Sequence, residues 1–125
     1  MTNYTYVSWD LINEVSDGNQ ELIIDLVNMF YQQVPVYSEQ LNHLNATKDY
    51  IALGKLAHKI KGSVSLLGIT DLVKGMKELE SLASEGREPQ RYCEYIDLFN
   101  TTCAKATIEL NDILNRIKIH SHDKH

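Results

Sequence analysis

Leu53-Gly54-Lys55-Leu56-Ala57-His58-Lys59-Ile60-Lys61-Gly62-Ser63-Val64-Ser65-Leu66-Leu67-Gly68 is the stretch from which the fold is read. Its apolar residues Leu53, Leu56, Ala57, Ile60, Val64 and Leu67 recur at helical spacing and define one face of a helix. At about 100° per residue, His58 falls roughly 150° from the middle of that stripe. The helix buries one side and holds an imidazole out on the other.

Outward from this helix the same periodicity recurs. A short first helix is expected over Trp9 to Val15, with Ser8 as its N-cap. Asp17 followed by Gln20 reads as a capping box opening the next helix, which carries Leu22, Ile23, Leu26, Val27 and Phe30. Pro35 is expected to kink or break that helix near Gln33, because it lacks an N–H and clashes with the preceding turn. Helix then resumes through Leu41 and Leu44 and ends near Asn45-Ala46-Thr47. The His58 helix runs from about Asp49 to Leu67. Gly68 suits the left-handed position after it, with Ile69 folding back as the apolar partner.

Thr70 is the expected N-cap of a helix with the stripe Leu72, Met76, Leu79 and Leu82 or Ala83, ended by Gly86. Pro89 fits the first position of a long last helix carrying Tyr92, Ile96, Phe99, Cys103, Ala106, Leu110, Ile113, Leu114 and Ile117. Period-2 alternation is not sustained anywhere. The fold class is therefore all-α, an antiparallel up-down four-helix bundle with a short extra N-terminal helix. One domain fills residues 1–125, with a core over about 8–117 and a frayed tail over 118–125.

A chain of 125 residues with 43% hydrophobic and 23% charged residues can bury a full core. No apolar run approaches the roughly 18 residues that span a bilayer, and no leader precedes the first helix, so a cytoplasmic protein without membrane insertion is expected. Cys93 and Cys103 share one helix about 15 Å apart, too far for a disulfide, and read as ordinary core or surface residues. The net charge of −5 argues against nucleic-acid binding. Yet residues 48–77 hold six lysines against two aspartates, a local +4 that leaves −9 for the rest of the chain. A basic patch around one histidine on an acidic protein suits an anionic partner.

On the helix surface Lys55 and Lys61 lie three positions either side of His58, Gly54 and Gly62 four, and Ser65 seven. The two glycines break helix propensity without an evident folding gain, by about 1 kcal/mol each, and open the approach to the ring. An exposed imidazole is largely the free nucleophile at neutral pH. A lysine one turn away can neutralise a phosphoryl group on it, and phosphoryl transfer asks little more of a protein than position and charge.

The run Ala57-His58-Lys59-Ile60-Lys61-Gly62-Ser63 followed by Leu67-Gly68 resembles the signature of histidine-containing phosphotransfer (HPt) domains of bacterial phosphorelays. Gly18-Asn19-Gln20-Glu21-Leu22 with Phe30 resembles that family's first bundle helix, Pro35 with Leu41 its second, and Leu79-Glu80 with Gly86 the helix after the histidine. The resemblance implies that His58 is a phosphoacceptor, taking the group from a response-regulator receiver aspartate and passing it to another. It implies that Lys61 stabilises the phosphate and that Gly62 leaves room for docking. Mg²⁺ then belongs to the receiver, and neither a cofactor nor a metal site is expected here. The partners implied are response-regulator receiver domains and a hybrid sensor histidine kinase, met by a monomer. Lys55 and Lys59 are read as electrostatic steering residues and Ser65 as part of the docking face. Gly54 has no place in the family pattern, and the tail after Ile117 has no counterpart.

Other readings are weaker. Glu80 reads as a structural residue at a helix surface. His120, His122 and His125 sit on a tail without fixed geometry, and Glu39 with His43 has no second pair to complete a di-iron bundle site. An autonomous kinase is excluded because no glycine-rich nucleotide motif occurs. The remaining alternative is a helical interaction module that keeps the bundle but has lost phosphotransfer; the intact His58 disfavours it.

Overall fold

A computed structural model describes residues 4–122, with side chains through Ile117. The elements are α1 (Trp9–Ser16), α2 (Gln20–Ala46), α3 (Tyr50–Ser65), α4 (Thr70–Ser84) and α5 (Tyr92–His122), all helical, with no strand among the described residues. α3 packs most extensively on α4, α4 on α5, α5 on α2 and α2 on α3, which closes a four-helix ring. α1 lies against α2 as the short extra helix. The stripes named above form the core: Leu53, Ala57, Ile60, Leu72, Met76, Leu79, Phe99, Ala106, Leu110 and Ile113 are all fully buried. Leu82 and Ala83 both face inward, while Leu114 is half-buried at the core's edge.

Local chemistry explains most helix ends. Ser8 caps α1, its hydroxyl accepting from the Leu11 N–H at 3.2 Å. Asp49 caps α3 in the same way through Ala52. The turn from α3 to α4 is a Schellman motif: Gly68 N–H reaches the Ser65 carbonyl at 3.1 Å and Ile69 N–H the Val64 carbonyl at 3.2 Å. Gly68 has φ +67°, and a Cβ there would stand 2.4 Å from the Ser8 Cβ. Gly68→Ala is therefore expected to cost about 2 kcal/mol or more, from the left-handed backbone and the clash with the α1 entry. Thermal unfolding should read this as a melting point lower by roughly 6–10 °C.

Four expectations are corrected. α2 is not broken at Pro35; it runs through, so the segments around Phe30 and Leu41 belong to one helix. Pro35 is exposed, so the lost hydrogen bond falls on the solvent side, while Val27, Phe30, Tyr37 and Leu41 anchor the helix on the core side. The α2 cap is Asn19, accepting from the Leu22 N–H at 3.2 Å; Asp17 instead closes α1 in the left-handed region at φ 53°. Thr70 is the first residue of α4 and its cap is Ile69, without a side-chain bond, because the Schellman turn leaves no spare residue. Pro89 opens a 3-10 turn, Pro89–Arg91, which leads into α5.

α5 continues as helix to His122; the expected fraying over 118–125 concerns residues that lie partly outside those described, as do the side chains of His120 and His122 and all of His125. Cys103 is buried and its thiol is pushed up to about 12 by that burial, Cys93 is exposed, and neither is bridged.

Candidate functional site

The α3–α4 hairpin builds the site. His58 and Glu80 each lie eleven residues from Ile69, so the turn brings them opposite one another. His58 projects from α3 with 65% of its side chain exposed, and its Nδ1 is 2.9 Å from Glu80 Oε2. The second carboxylate oxygen, Oε1, accepts from Lys61 Nζ at 3.2 Å, one turn along α3. One carboxylate thus ties the imidazole and the ammonium together.

Partial burial pushes the Glu80 carboxyl up. The Lys61 hydrogen bond and the electrostatic interactions with His58 and Lys61 outweigh it and hold the carboxyl below its ordinary value. An ionised carboxylate only accepts, so the ring nitrogen facing it must donate. Nδ1 then carries a proton, and in the neutral ring Nε2 carries the lone pair.

Gly62 is exposed four residues on, and a Cβ there would meet nothing within 4 Å. Lys55 and Lys59 are exposed on the same helix, Lys55 one turn below the ring. Ser65 is half-buried and its hydroxyl donates to the Gly62 carbonyl at 2.7 Å, so it is turned back onto its own helix. A shallow groove beside the ring is lined by Ile51, Gly54, Lys55, His58, Glu80 and Ser84, and Ile51 is 65% exposed.

Two residues change role. Gly54 is buried, and a Cβ on it would stand 3.1 Å from the Ser84 nitrogen and 3.4 Å from the Glu80 carbonyl oxygen. It serves the close crossing of α3 and α4 rather than access to the ring. Glu80 is at a helix surface as expected, but it also touches the histidine. Its distance from the turn was the available signal, since antiparallel helices pair residues equidistant from their connection. Among the described residues no group of three His, Cys, Asp or Glu side chains could hold a metal ion, and no helix is long and apolar enough to cross a membrane.

The site is thus an exposed histidine on a helical bundle, with a carboxylate on one ring nitrogen, a lysine one turn away and an open approach. The Hpt domain family model matches residues 25–118, most of the chain, and the protein belongs to that family. It has the phosphocarrier role in phosphorelays, facing receiver domains, that the family implies. No curated protein and no solved structure matches it significantly.

Proposed function

We propose that His58 is the phosphoacceptor, taking a phosphoryl group on Nε2 from the aspartyl phosphate of a hybrid sensor kinase's receiver and passing it to a second receiver. The observation that carries this reading is the exposed ring with Nδ1 occupied by Glu80 and, among the described residues, no partner on Nε2. Lys61, 27% exposed and already beside the ring, neutralises the phosphoryl oxygens. Lys55 and Lys59 steer the acidic receiver face toward the ring, an effect that weakens as salt rises. Mg²⁺ is supplied by the receiver's own acidic pocket. The protein works in the cytoplasm as a monomer, and it turns nothing over on its own.

The test is transfer of label. A receiver charged with radiolabelled acetyl phosphate should pass label to this protein, and the product should be acid-labile and alkali-stable, as a phosphoramidate is. An acid-stable product would point to an ester and sink the reading. Gly62→Leu should slow this transfer at least tenfold by standing in the docking path. Because that position is open, the same change should stabilise the helix by up to about 1 kcal/mol. Unaltered transfer in Gly62→Leu would remove the docking role of this glycine.

A further inference from the structure

We propose that Glu80 sets the lifetime of phosphorylated His58 by keeping Nδ1 protonated while the phosphoryl group is on Nε2. The inference rests on the phosphocarrier reading and extends it to how readily the group leaves. Glu80 Oε2 already accepts from Nδ1 at 2.9 Å in the free protein. With Nδ1 donating to Glu80, the neutral form of the ring has its lone pair on Nε2.

When that lone pair attacks the phosphorus of an aspartyl phosphate, an N–P bond forms and the P–O bond to aspartate breaks. The electron pair of the broken bond leaves with the aspartate as carboxylate. The ring has gained a bond and kept its Nδ1 proton, so it is now positively charged. Without a neighbouring anion it would release that proton to water and become a neutral phosphoimidazole. The difference matters because the neutral form must expel an imidazolide anion, whereas the protonated form expels a neutral imidazole. Glu80 favours the second form. On departure to a carboxylate or to water the N–P pair returns to Nε2, the Nδ1 proton stays where it was, and Glu80 is unchanged.

The other charges around the ring work against this protonation. α3 contributes Lys55 and Lys61 one turn either side, and α4 contributes Lys77 one turn before Glu80; all three are cations. α2, packed on another side of α3, directs the Tyr37 hydroxyl to Ser63 rather than to the ring. Among the described residues Glu80 is the carboxylate in contact with His58. Lys61 carries three donors, so it can hold Glu80 Oε1 and a phosphoryl oxygen at once.

The experiment uses the full chain phosphorylated with phosphoramidate, whose P–N bond breaks with loss of ammonia. Phosphohistidine decay is followed by phosphorus NMR across the neutral pH range, and the ring Cε1–H resonance reports its protonation in the same samples. Glu80→Gln keeps a hydrogen-bond acceptor beside Nδ1 but removes the charge. Its decay profile and ring titration should both move to lower pH by roughly one unit, and at neutral pH its phosphohistidine should live several-fold longer. Lys61→Met, which leaves the carboxylate in place, should not reproduce that shift. Superimposable profiles for wild type and Glu80→Gln, or the same downward shift in Lys61→Met, would overturn the proposal. Absence of transfer to or from any receiver, with the Glu80→Gln shift intact, would strike the phosphocarrier reading alone.

Discussion

Replacing His58 by glutamine is expected to remove all phosphoryl label, to background, while leaving the fold intact. The amide nitrogen of glutamine has its lone pair delocalised into the carbonyl and cannot attack phosphorus, so no weak residual route runs through the new side chain. The fold should not notice. The His58 side chain is 65% exposed, and its contact with Glu80 is an exposed pair of the kind that contributes little to stability. Glutamine also keeps a polar group within reach of the carboxylate and is a good helix former. Circular dichroism and thermal unfolding should therefore differ from wild type by no more than about 0.5 kcal/mol. Label retained by a folded His58→Gln protein would place the acceptor elsewhere, with His43 the next exposed histidine to test.

What could be read in the sequence was whatever is decided within a turn or two of helix. The α3 stripe, the Ser8 cap and the Gly68–Ile69 turn each depend on residues within about five positions of one another, and each is found where it was expected. The misreadings at Asp17 and Thr70 are shifts of one or two residues between neighbouring candidates, where several side chains could cap and only the chain path chooses. At Pro35 the expected break is absent for a different reason. Its helix-breaking chemistry is local, but the outcome depends on whether the ring faces solvent or core, and on how firmly α2 is held by what packs on it.

The site divides along the same line. His58, Lys61 and Gly62 lie on one helix, and their mutual placement follows from 3.6 residues per turn. Glu80 comes from the next helix, and only the length of the turn and the closeness of the crossing put its carboxylate on Nδ1. The feature that sets that closeness, Gly54, was visible in the sequence and was assigned the wrong task. Two glycines four residues either side of a histidine look equivalent in one dimension. In three, one faces solvent and the other faces the backbone of α4.

That distinction makes Gly54→Leu the sharpest structural test. A Cβ at this position would already press on the Ser84 nitrogen at 3.1 Å and on the Glu80 carbonyl oxygen at 3.4 Å, and both are backbone atoms that cannot rotate away. Alanine sets this squeeze against the roughly 1 kcal/mol that leaving glycine gains in helix propensity, so Gly54→Ala should come out near neutral. Leucine adds three further carbons to the same place, and α4 must move off α3 to admit them. The expected loss is about 3 kcal/mol, seen as a melting point lower by roughly 10 °C. Separation of the helices also withdraws Glu80 from His58, since the carboxylate and the contact at Ser84 lie one turn apart on α4. The ring Nδ1–H resonance should lose the signature of a carboxylate partner even in molecules that remain folded. Gly62→Leu, four residues beyond the histidine on the open side, should raise the melting point instead. Equal destabilisation by leucine at 54 and 62 would mean that the two glycines do the same job, and that the α3–α4 crossing is not what brings Glu80 to the ring.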